Sequence, residues 1–246
     1  MSEQPWLILT LRRTGGTSLT SFLAEVSKFS AVEHEPFNVD RIFGSITQDF
    51  QKTGDVDAMR AAVADAVKDH PNIKHCVEII PLELTRALID ECIAQGYGFM
   101  VLTRKNEARR VLSLLLAVST GAWGPKAASG IYPKIIDGTQ KAQPIDLQKV
   151  QNRVRQDYFA IGRTLSLLRN RQVDYQWLVF EELYFGETSI EEQARSVAGR
   201  LGIEIAPDDA RLAAFSQRDG QKSESIAQYV KGYDEAAELL ETLCTA

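Results

Sequence analysis

The residues Arg12-Arg13-Thr14-Gly15-Gly16-Thr17-Ser18 join a continuous apolar run to a segment of helical spacing. That placement has the chemistry of an anion site. Amides at a helix start carry partial positive charge and point along the helix axis, and two glycines let a ligand approach the main chain closely. Arg13 stands at the entry and Thr17 and Ser18 supply hydroxyls at the helix start. The loop is not of the GxxxxGK[ST] type, because the spacing is absent and the cation precedes the glycines. It suits a short terminal anionic group better than a triphosphate chain with magnesium. Taken alone, it also reads as an ordinary strand-to-helix turn capped by Thr or Ser.

Two further groups of residues carry chemistry. Arg104 ends the apolar run Gly98 to Thr103, and Ser113 follows nine positions later inside Val111-Leu112-Ser113-Leu114-Leu115. Ligands bind beyond the carboxyl ends of strands in open α/β sheets, and a guanidinium fork matches a phosphate. Arg109 lies four residues before Ser113, on the same helical face. The competing reading is that Ser113 bonds back to its own helix and the arginines are solvated. The second group is Val32-Glu33-His34-Glu35-Pro36-Phe37, expected to form the second strand with Glu33 and Glu35 on one face and His34 on the other. Glu35 and His34 are both candidates for a general base, His34 because its ordinary pKa lies nearer neutrality. A solvated charged edge accounts for the cluster equally simply.

RTGGTSL at Arg13 to Leu19 resembles the 5′-phosphosulfate loop of sulfotransferases that use 3′-phosphoadenosine 5′-phosphosulfate (PAPS). VLTR at Val101 to Arg104, with Ser113 nine residues on, resembles that family's 3′-phosphate motif, in the spacing of bacterial trehalose and carbohydrate sulfotransferases. Val179-Phe180-Glu181-Glu182-Leu183 is similar to the family's late strand, with Phe180 where tyrosine is usual. Gln221-Lys222-Ser223 before Tyr229 to Glu235 resembles a segment closing over the 3′-phosphate. The resemblance implies a three-layer, P-loop-like α/β fold with a central, mostly parallel sheet. It implies that Arg13 and the amides of Thr14, Gly15, Gly16, Thr17 and Ser18 hold the phosphosulfate. It implies likewise that Arg104, Arg109 and Ser113, with Lys222 and Ser223, hold the 3′-phosphate. It further implies that Glu35 is the base for a small hydroxyl acceptor, that 3′,5′-ADP is the product, and that no metal is needed. The rival functions are a kinase-like phosphotransferase and a non-catalytic nucleotide-binding protein.

The elements needed to position these residues are legible in the pattern. Trp6 to Leu11 and Gly98 to Thr103 are unbroken apolar runs, as in strands covered on both faces. Ile73 to Ile80 and Tyr175 to Phe180 read as further strands. Helical spacing covers Ser18 to Phe29, Asp57 to Lys68, Leu82 to Gln95, Asn106 to Val118, Asp146 to Arg171 and Ile190 to Leu201. A terminal helical stretch from Ser223 to Cys244 is interrupted near Gly232. Strands alternating with helices predict a doubly wound sheet in a single domain. The Gly-, Pro- and Lys-containing stretch 119 to 144 is expected to be an irregular lid or acceptor-binding loop, with Trp123, Lys126, Tyr132 and Lys134 available for contacts.

Composition narrows the partners. The chain has 246 residues and a formal charge of −5, which gives no general attraction to nucleic acid or anionic lipid. Three dispersed cysteines, Cys76, Cys92 and Cys244, form no CxxC pair and imply reduced thiols. No run is long enough for a membrane span, and the short segment before Trp6 does not read as a signal peptide. A cytoplasmic protein is expected, with a homo-oligomer left open.

Overall fold

The computed structural model describes residues 2–32, 34–216 and 223–245. In chain order the elements are β1 (Trp6–Thr10), α1 (Gly16–Val26), α2 (Gly44–Thr53), α3 (Val56–Val67), β2 (Ile73–Cys76), α4 (Leu82–Ala94), β3 (Gly98–Thr103), α5 (Glu107–Thr120), α6 (Pro125–Ile136) and α7 (Leu147–Asn170). There follow β4 (Tyr175–Val179), α8 (Phe180–Phe185), α9 (Ile190–Arg200), α10 (Ala210–Ser216), a 3-10 helix (Ser223–Tyr229) and α11 (Tyr233–Thr245). The chain divides into two compact units, residues 1–103 with 158–217, and residues 104–157 with 218–246.

The first unit is a three-layer α/β fold. Its four strands are all parallel, in the order β2-β1-β3-β4. Successive side chains of a strand face opposite sides of the sheet, so unbroken apolar strands need cover on both. Leu7, Leu9, Phe99 and Val101 pack against α3, α4 and the later part of α7. Trp6, Ile8, Met100 and Leu102 pack against α1, α9 and α10. The chain leaves β1 towards β2 on one side and returns to β3 on the other. The carboxyl ends of β1 and β3 therefore flank the crevice where such sheets bind ligands. Thr10 clasps this end, its hydroxyl donating to the Leu102 carbonyl at 2.9 Å.

The second unit is helical. Val111 of α5 packs with Val150 and Val154 of α7 and with Ala236 and Leu240 of α11. Leu116 packs with Ala128, Tyr132 and Ile135 of α6 and Ile226 of the 3-10 helix. Beneath them lies a buried ion pair: the fully buried Arg110 donates to Glu107 Oε2 at 2.7 Å and to Asp157 Oδ2 at 2.5 Å.

Three expectations are corrected. Residues 32 and 34 to 37 are not a strand, and Glu33 lies outside the described residues: pairing stops at an isolated bridge between Ala31 and Asn72. Beyond it Glu35 takes the left-handed conformation, φ 60°, and Pro36 has no amide to donate to a ladder. The stretch 119 to 144 is not irregular, since α6 fills its middle. Pro125 sits in the first turn, where its missing N–H costs nothing, and Ala128, Tyr132 and Ile135 are buried. Tyr132 is thus core, whereas Trp123, Lys126 and Lys134 are exposed. The last strand ends at Val179, and Phe180 opens α8.

Candidate functional site

The glycine loop lies at the carboxyl end of β1, within the first unit. The chain leaves the strand through Arg13, whose φ of 67° is uncommon for a residue with a side chain. Thr14 is buried and its hydroxyl donates to the Leu11 carbonyl at 2.7 Å, which closes the turn and commits that hydroxyl to the loop itself. Helix α1 then begins at Gly16, two residues before the helical spacing predicts, with Gly15 as its N-cap at φ 80°. A glycine N-cap offers no side chain to the first-turn amides. Thr17 is exposed and Ser18 half-buried at this helix start.

Gly15 is required by its surroundings. A Cβ on Gly15 would lie 2.3 Å from Phe180 Cε2, and the Tyr184 hydroxyl donates to the Gly15 carbonyl at 3.2 Å. The aromatic start of α8 therefore braces the loop from one side. A Cβ on Gly16 would meet Leu102 at 3.3 Å and the Lys74 stem at 3.6 Å. Arg12 and Arg13 have separate surroundings: Arg12 donates its backbone amide and its Nε to Glu78 Oε1, both at 2.9 Å. Arg13 is half-buried.

Lys74, on β2, was not among the residues singled out by pattern. Its Nζ donates to Glu35 Oε1 at 2.9 Å, with only 7% of the lysine side chain and 20% of the glutamate exposed. Burial raises the Glu35 pKa, but the Lys74 charge and hydrogen bond, the Cys76 thiol and Arg12 outweigh it, so the carboxyl sits below its ordinary value. Burial lowers the Lys74 pKa, and Cys76, Glu35 and Glu78 reverse this to a net rise. The Cys76 thiol is pushed well up, chiefly by burial. Lys74 thus lies with its stem beside Gly16 and its ammonium on Glu35. His34, half-buried, precedes it in the same turn-rich segment. Of the other histidines, His75 is buried with Nε2 2.9 Å from the Thr85 hydroxyl, and burial lowers its pKa to about 4.

The second unit holds the remaining residues. Arg104 is the residue after β3 and is half-buried. Arg109 and Ser113 lie one turn apart on α5, with Ser113 half-buried and Arg109 exposed. Arg109 donates to Glu224 Oε1 at 2.7 Å, so α5 is tied to the 3-10 helix that Ser223 opens. Asn106 caps α5, accepting from the Arg109 amide at 2.8 Å. Lys222 lies outside the described residues. Among the described residues, no group of three or more His, Cys, Asp and Glu side chains is placed to hold a metal ion, and no helix is long and apolar enough to cross a membrane.

No protein-family model and no curated protein sequence matches the chain. Among solved structures it is similar to a sulfotransferase from Alicyclobacillus acidocaldarius, at 14% identity and a TM-score of 0.44, over 100% of this chain and 97% of that one.

Proposed function

We propose that this chain transfers a sulfuryl group from PAPS to a hydroxyl of a small acceptor. The observation that carries the reading is the left-handed Gly15 N-cap, set between the end of β1 and the start of α1 and backed by Phe180 so that only glycine fits. Such a loop presents main-chain amides and a helix N-terminus to an anion at a position that open sheets use for nucleotides. The donor fits this residue set. Amides from Thr14 to Ser18 and the Thr17 hydroxyl would hold the 5′-phosphosulfate, with Arg13 countering charge on the sulfuryl and bridging oxygens. Arg104 and Ser113, with Arg109, Lys222 and Ser223, would take the 3′-phosphate that distinguishes PAPS from ATP.

Transfer is read as a direct in-line displacement, by analogy with phosphoryl transfer. The acceptor oxygen forms a bond to sulfur, the bond from sulfur to the bridging oxygen breaks, and the acceptor proton passes to Glu35. The product nucleotide is 3′,5′-ADP. Glu35 is preferred to His34 because it pairs with Lys74, whose stem lies beside Gly16.

The test is transfer of label from PAPS labelled in the sulfuryl group, across sugars, glycolipids, phenols and primary alcohols. Labelled product with one class, abolished in Glu35→Gln, supports the reading. Failure of every acceptor, or full activity in Glu35→Gln, overturns the transfer step or the base respectively.

A further inference from the structure

Lys74 interrupts the otherwise uncharged strand Ile73-Lys74-His75-Cys76, and all four residues are buried. A buried ammonium is costly unless it is paired, and Lys74 pairs with Glu35, 39 residues away in sequence. The contact geometry links two parts of the candidate site. The lysine stem lies 3.6 Å from where a Cβ on Gly16 would stand, and the ammonium, one bond further on, holds the carboxylate at 2.9 Å. We propose that Lys74 is a positioning residue for Glu35, fixing the carboxylate beside the glycine loop as an anion ready to accept a proton. This rests on the transferase reading, in which Glu35 is the base.

The surroundings support such a division of labour. Around the pair stand Cys76 on β2, His75 beside it, Glu78 after β2 and Arg12 after β1. Of these, Arg12 is committed to Glu78 and the Cys76 thiol is held neutral by burial. Lys74 is in direct contact with Glu35, and Arg12 acts on the carboxylate through its charge. Without it, burial would dominate and the carboxyl would protonate at higher pH.

The experiment compares the parent protein with Lys74→Met, which keeps an unbranched stem under Gly16, and with Lys74→Arg, which keeps the charge. The Glu35 carboxyl is titrated by 13C NMR, its resonance assigned by its loss in Glu35→Gln, and the pH profile of kcat/KM is recorded with the acceptor found above. Lys74→Met should raise the Glu35 midpoint by at least about one pH unit and move the acid limb of the profile with it. At a pH on that limb this is a loss of about tenfold in rate, with KM for PAPS within about twofold of the parent. Lys74→Arg should stay close to the parent in both readouts. An unmoved midpoint overturns the proposal, as does a midpoint that moves while the acid limb stays. If the parent transfers label to no acceptor, the transferase reading falls, and the titration by itself supports or overturns control of Glu35 by Lys74. Should Lys74→Met fail to fold, the double variant with Glu35→Gln carries no unpaired charge. Its recovery of a folded protein supports the pairing, and its failure to recover overturns it.

Discussion

The ring of Phe180 occupies the space that a side chain on Gly15 would need, with 2.3 Å separating Cε2 from the position of a Cβ. Gly15 also has φ 80°, a conformation that costs a residue with a Cβ about 1–2 kcal/mol. Gly15→Ala should therefore lower Tm by about 2–8 °C for a chain of this size and weaken any nucleotide-induced rise in Tm. Adding Phe180→Leu relieves the steric part, so the double variant should melt above Gly15→Ala alone. Differential scanning fluorimetry checks both.

Arg109 and Arg110 are adjacent in sequence and opposite in energetic role. Arg109 is an exposed partner of Glu224, and Arg109→Ala should change stability by less than about 1 kcal/mol. Arg110 is fully buried between Glu107 and Asp157. Arg110→Ala leaves Asp157 buried with its charge opposed by Arg153 Nε at 3.6 Å and should cost up to about 3–5 kcal/mol. Replacing Arg110 and Asp157 together, as Arg110→Met with Asp157→Leu, should recover much of the loss. Urea unfolding of the four proteins measures the contrast.

His75 predicts a pH dependence of stability. Its pKa is about 4 in the folded chain against 6.5 as the ordinary value, with burial as the main cause. The unfolded chain binds the extra proton first, so stability is fully present above pH 6.5 and falls as the pH drops towards 4. In that window the contribution is roughly a factor of ten in the unfolding equilibrium per pH unit. Glu35 acts in the same direction at lower pH: its pKa is depressed in the fold, so its share is present above 4.5 and is lost on further acidification. His75→Gln should flatten the slope between pH 6.5 and 5 in urea midpoints while leaving the loss below 4.5.

The sheet was legible because its strands carry their own signal. Trp6 to Thr10 and Gly98 to Thr103 are apolar throughout, and both faces prove to be covered. The glycine loop was legible for the same local reason, a turn between strand and helix with two adjacent glycines. Helix α6 was missed because Gly, Pro and Lys suggested a loop, although Ala128, Ile131, Tyr132 and Ile135 have helical spacing and Pro125 marks a start. The segment around Glu35 was misread because alternating charges imitate a half-buried strand. The left-handed Glu35 and the proline after it stop the pairing. Lys74 was hidden for another reason. A lysine within a strand says only that it must find a partner, and that partner is contributed by the fold from 39 residues away. Arg110 was passed over for Arg109, since on a helix the neighbouring position faces a different way and only packing reveals which arginine is interior.

The central claim is that the chain reads the nucleotide of PAPS, and the change in Tm on adding 3′,5′-ADP, 5′-ADP or AMP at equal concentration tests it most directly. The account predicts the largest rise with 3′,5′-ADP. Arg104→Ala and Ser113→Ala should remove the advantage over AMP, and Glu35→Gln should leave it intact. Equal rises for all three nucleotides, or none, would contradict it.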